Sequence, residues 1–273
     1  MLSVFKISFL LTVLTVGIFL FFGFLYNFLE KRNTAYVLST FGNSGILFTG
    51  IIGTTVHELG HLIMCILFHH KINDFKFFNL RGYKYEEVLG YVSHNYDNKS
   101  LYEKAGNFFI GIGPILFGTL FIILSFKILL PDLFFQLNIN EYMKYINSLN
   151  INNIVLLFLH ICRSLFILLF NINNLYNIKF YIFIYLMFSI SSHISLSRQD
   201  LKNSIAGIFS IFIIYFIICL GCILLNFNLN SLLFKIMSYS LYLVLFLSIG
   251  LIFSLISLII SFIFYKIKNI IFS

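Results

Sequence analysis

A chain of 273 residues that is 60% hydrophobic and only 10% charged is too apolar for a water-soluble globular domain, in which about a quarter of residues are charged. Lys and Arg outnumber Asp and Glu by 18 to 10, but they are scattered between apolar runs, so the excess does not point to a nucleic-acid partner. Apolar runs longer than the roughly 20 residues that cross a bilayer predict an all-α polytopic membrane protein, because backbone in lipid must satisfy its own hydrogen bonds.

In chain order the apolar runs cover 7–29, 45–68, 107–130, 152–171, 179–196, 204–226 and 237–265, which predicts six or seven transmembrane helices. The first is too long for a signal-peptide core and no small-residue cleavage site follows it, so it reads as a retained span. Between the second and third lies the longest polar insertion, 69–106. Its aromatic and β-branched residues, interrupted by "RG" and "LG", predict a short β-hairpin or re-entrant strand pair at the membrane surface.

This insertion holds Lys71, Lys76, Arg81, Lys84, Lys99 and Lys104, whereas the opposite loops, 30–44 and 131–151, hold only Lys31, Arg32 and Lys144. The positive-inside rule therefore puts the N-terminus and the insertion in the cytoplasm. No repeat or Pro/Ser/Gly linker divides the chain, which reads as one polytopic domain, 1–273. Cys65, Cys162, Cys219 and Cys222 all fall in apolar runs; they read as small buried hydrophobes rather than a disulfide framework or a metal site.

The second run contains "GTTVHELGHLIMCILFHH", residues 53–70. A helix brings positions i and i+4 onto one face, so His57 and His61 can present imidazoles to one cation. Glu58 is offset around the helix, beside such a cation, where it can take a proton from water. A chance HExxH is expected on the order of a few times per thousand chains of this composition. A buried carboxylate in a span costs a few kcal/mol and so usually serves a function.

A catalytic zinc takes three protein ligands. After Glu141 the only acid is Asp200, in the polar stretch "SISSHISLSRQDLKNSIAG" between two apolar runs. Asp200 is the first choice for the third ligand; it also suits an interfacial N-cap for a helix starting at Leu201. His193, in the same stretch, is the runner-up. Arg163, inside "LHICRSLF" with His160, is costly in lipid unless paired or snorkelling and reads as structural.

Together, HELGH in a span, the Gly-rich third run and the late lone Asp resemble the site-2 protease family of intramembrane zinc metallopeptidases. "GNFFIGIGPILFG", Gly106 to Gly118, looks like the Gly-Pro region that follows the insertion in several bacterial members. The aspartate lies in "LSRQDLKNS" rather than the "NxxPxxxxDG" context common in the family. The resemblance implies that His57, His61 and Asp200 bind Zn2+ and that Glu58 is the general base. It implies hydrolysis of peptide bonds in or near a transmembrane helix of a membrane-protein substrate. It also implies a metalloprotease core at 45–210, preceded by an N-terminal span and loop, 1–44, and followed by C-terminal spans, 211–273. The expected location is a bacterial cytoplasmic membrane.

Two alternatives stay open. "YEKAGN" places Glu103 four residues before Asn107, a loose echo of the CAAX-prenyl and heat-shock membrane zinc proteases, whose third ligand is Glu. A transporter or scaffold that retains a metal site is the other, although no inverted repeat is apparent.

Overall fold

The computed structural model describes residues 2–80, 88–137 and 151–272. The first element, α1, spans Leu2–Leu67 and is interrupted once, at Gly42, where φ is 65° and ψ is −159°. Only glycine adopts that region at little cost. Nothing stands within 4 Å of where a Cβ would sit, so backbone conformation, and not space, requires glycine there. The stretch 30–44, expected as a loop, is thus helical on both sides of Gly42. Its few charges did not break the helix because Glu30, Lys31 and Arg32 are good helix formers and no proline intervenes.

After Leu67 the chain turns through His69 in the left-handed region (φ 58°), and His70 N–H donates back to the Cys65 carbonyl (2.9 Å), a Schellman-like stop. The expected hairpin follows: β1 (Lys71–Lys76) pairs antiparallel with β2 (Tyr91–Asn95), with a bulge between Ile72 and Asp74. Ile72 and Val92 pack against buried Met64, Cys65 and Ile110. Farther along, Phe78 and Leu89 approach Gly50, so the hairpin runs back along α1 instead of leaving it.

Six more α-helices follow among the described residues: α2 (Leu101–Leu129), α3 (Pro131–Gln136), α4 (Ile151–Leu169), α5 (Ile178–Ser191), α6 (Arg198–Leu224) and α7 (Leu229–Phe272). Most of the loop expected at 131–151 lies outside the described residues. One hydrophobic cluster runs from Val16 of α1 through Phe126 of α2 and Phe183 of α5 to Phe253 of α7. Tyr26 pins it: its hydroxyl donates to the Leu247 carbonyl (2.9 Å) and contacts Thr119 Oγ1 (3.1 Å).

Among the described residues, four helices are long and apolar enough to cross a membrane: α1, α2, α6 and α7. Outward-facing Phe21 and Phe24, 61% and 70% exposed, suit lipid and not water, and the chain is a membrane protein. Of the seven apolar runs expected, the first two lie in the halves of α1 on either side of Gly42, and Leu159–Leu169 of α4 and α5 are shorter apolar helices.

Candidate metal centre

The HELGH segment lies on the second half of α1, where it packs closely against α2. A Cβ on Gly60 would stand 2.9 Å from the carbonyl of Gly113, and one on Gly113 would stand 2.7 Å from the Gly60 carbonyl oxygen. Small residues at such a crossing let two helix backbones meet. The contact explains both the glycine of HELGH and the "GIGP" of α2.

Pro114 has a second effect. It lacks the N–H that would bond the carbonyl four residues earlier, leaving Ile110 without its ordinary helical partner. That carbonyl accepts a hydrogen bond from His61 Nδ1–H at 2.8 Å. His57 is held in the same way: its Nδ1–H donates to the His193 carbonyl at 2.7 Å, just beyond the end of α5. With Nδ1 protonated on both rings, each Nε2 keeps its lone pair for a ligand.

Asp200 completes the cluster. It is the third residue of α6, and Ser197 is the N-cap: Ser197 Oγ accepts from Asp200 N–H (3.1 Å), and Asp200 Oδ2 accepts from Ser197 N–H (2.8 Å). This capping box points the other carboxylate oxygen, Oδ1, to within 3.3 Å of His61 Nε2; Oδ2 lies 3.9 Å from His57 Nε2. Asp200 is thus not the N-cap expected from the sequence but the N3 partner of the Ser197 cap, and the same capping box carries it to the two histidines. The helix begins at Arg198 rather than Leu201.

His57 and His61 Nε2 are 3.2 Å apart, and single donor atoms from His57, His61 and Asp200 all fall within 4.8 Å of one another. A tetrahedral ion with bonds of about 2.0–2.1 Å separates its ligands by about 3.3 Å. The His57–His61 separation and that from His61 to Asp200 Oδ1 match, and the three donor atoms stay within 4.8 Å of one another, so the cluster could hold a metal ion. It is the one His/Cys/Asp/Glu group of this kind among the described residues.

Glu58 is buried and lines a cavity of about 370 Å³ with His57, Thr54, Gly90 and Ser195. Gly90, at the return of the hairpin, is close-packed there: a Cβ would stand 2.8 Å from both Glu58 Cγ and Thr54 Cγ2. Glu30, from the first half of α1, faces the same cavity.

Other sequence candidates lie elsewhere. The His193 imidazole turns to Thr49 Oγ1 (3.0 Å), so this residue serves the cluster through its carbonyl. Glu103 Oε2 accepts from Asp97 N–H (2.6 Å) at the start of α2 and is not among the converging groups. Arg163 is exposed on α4, and the four cysteines are free thiols. Sequence reading passed over Asn27, Glu30 and Asn33. Their signal was a polar i, i+3, i+6 stripe at the end of an apolar run.

No family model matches this chain, and no curated protein or solved structure matches it either.

Proposed function

We propose that this protein is a membrane-embedded zinc metallopeptidase of the site-2 protease kind, hydrolysing peptide bonds in or near the transmembrane helix of a membrane-protein substrate. The observation that carries the reading is the convergence of His57, His61 and Asp200 with Glu58 on the wall of the adjoining cavity. The Nδ1 donations to Ile110 and His193 are the kind of support that zinc-ligating histidines have.

A bound zinc would supply a Lewis acid for the scissile carbonyl and for the attacking water. Glu58 accepts a proton from that water as its oxygen bonds to the carbonyl carbon. The same carboxylic acid then protonates the departing amine nitrogen as the C–N bond breaks. Asp200 and the two histidines keep the site's geometry constant while this proton moves. A substrate helix must unwind locally before its carbonyl can enter, since its backbone is otherwise hydrogen-bonded; spans containing Gly or Asn suit this best. The positive-inside rule orients the N-terminus to the cytoplasm, and a bacterial cytoplasmic membrane is the proposed location.

The test is zinc stoichiometry by elemental analysis of detergent-purified wild type, Asp200→Ala and Glu103→Ala, joined to cleavage of single-span peptides carrying central Gly or Asn in proteoliposomes. The expected result is about one zinc in wild type and Glu103→Ala, loss in Asp200→Ala, and cleavage abolished by Glu58→Gln with zinc retained. Loss of zinc only in Glu103→Ala would move the chain to the Glu-ligand class. No zinc in any protein would overturn the reading.

A further inference from the structure

The first half of α1 takes no part in the chemistry above, yet it carries three polar side chains into the core. Asn27, Glu30 and Asn33 stand at i, i+3 and i+6, on one face of the helix. They meet the linker between α5 and α6 almost residue by residue. Asn27 Nδ2 donates to the Leu196 carbonyl (3.3 Å), Glu30 Oε2 accepts from Ser195 N–H (2.5 Å), and Asn33 Nδ2 donates to Ser192 Oγ (2.7 Å). Asn33 Nδ2 also donates to Ser257 Oγ of α7 (3.1 Å).

This linker needs outside partners. It is not helical, and Ile194 and Leu196 are 1% and 2% exposed, so its backbone polar groups must find hydrogen bonds other than those of a regular helix. It also carries two of the parts that shape the metal cluster. The His193 carbonyl orients His57, and Ser197 caps the helix that presents Asp200. Ser195, held by Glu30, is midway between them.

We propose that Asn27, Glu30 and Asn33 are positioning residues for the metal centre, fixing the α5–α6 linker on the path that places the His193 carbonyl and Asp200. Glu30 is the central one of the three, because the Ser195 amide it holds lies midway between His193 and Ser197. The proposal rests on the zinc reading and assigns the first half of α1 a role in metal binding.

The experiment compares full-length wild type, Glu30→Ala and Glu30→Gln in detergent. Zinc affinity is read by competition with a chromophoric chelator, and hydrogen exchange is read in the peptide covering 190–200. Glu30→Ala is expected to lose about ten- to a hundredfold in zinc affinity, the usual cost of removing an outer support, with faster linker exchange. Glu30→Gln keeps an acceptor oxygen and is expected to restore most of both. A Glu30→Ala protein that binds zinc as wild type does would overturn the clamp and leave the zinc reading standing. If wild type binds no zinc, the zinc reading fails and exchange alone decides the clamp: faster in Glu30→Ala supports it, unchanged sinks it. Should Glu30→Ala not fold, Asn27→Ala carries the same comparison.

Discussion

Pro114 and His61 are connected through a single carbonyl: the missing N–H of the proline leaves Ile110 free to accept the His61 Nδ1–H at 2.8 Å. His57 uses the carbonyl of His193 beyond the end of α5. Each histidine is thus aimed by a helix break. The breaks supply acceptors that an uninterrupted helix keeps for itself.

Replacing Pro114 with Ala restores a donor that competes for the Ile110 carbonyl. The expected result is a folded protein whose zinc affinity falls about tenfold, within the range seen for lost outer supports. Chelator competition on purified Pro114→Ala checks this. An affinity equal to wild type would show that the freed carbonyl does not matter.

Ser197→Ala removes the hydroxyl that caps α6 and faces Asp200. The loss of the cap costs about 1 kcal/mol, and the freed carboxylate becomes mobile at the cluster, so zinc affinity and melting temperature fall together. Ser197→Thr keeps the hydroxyl and is expected to stay near wild type in both measurements.

At the crossing of α1 and α2, Gly113→Ala sets a methyl group 2.7 Å from the Gly60 carbonyl oxygen. The helices must separate, at a cost of about 1–3 kcal/mol for overpacking, and His61 moves with its helix. Thermal unfolding in detergent is expected to drop, accompanied by reduced zinc content. At Gly42 a side chain meets open space but a strained backbone, so Gly42→Ala is expected to cost about 1–3 kcal/mol with zinc content intact.

The hairpin carries a pH dependence. His94 Nδ1 is 3.0 Å from His70 Nδ1, and burial, followed by repulsion from the His70 and His61 imidazoles, lowers the His94 pKa from 6.5 to about 4. In the unfolded chain His94 binds its proton first, so its contribution is fully present above pH 6.5. That contribution declines as pH falls from there to about 4. The protection of residues 88–95 against hydrogen exchange, taken relative to the intrinsic rate at each pH, is expected to fall over this window in wild type and to be flatter in His94→Gln.

Much of this arrangement is legible in local sequence. Apolar runs of helix length marked the membrane helices, the i, i+4 spacing of His57 and His61 put two imidazoles on one face, and the aromatic, β-branched stretch after His70 marked the strand pair. The scarcity of acids after Glu141 singled out Asp200. The spacing and strand signals depend on neighbours within a few residues, and the choice of Asp200 on composition alone.

What only the tertiary structure decided is where the polar groups at each helix break are paired. His57 meets a carbonyl 136 residues away, His61 one 49 residues away, and Glu30 an amide 165 residues away. Periodicity carries no record of such distant pairings. The stripe Asn27, Glu30 and Asn33 straddles the junction of the first apolar run and the stretch expected as a loop, and sequence reading passed it over. Packing made it part of a continuous helix, because the polar linker at 192–197 lies beside it and buried backbone groups require partners.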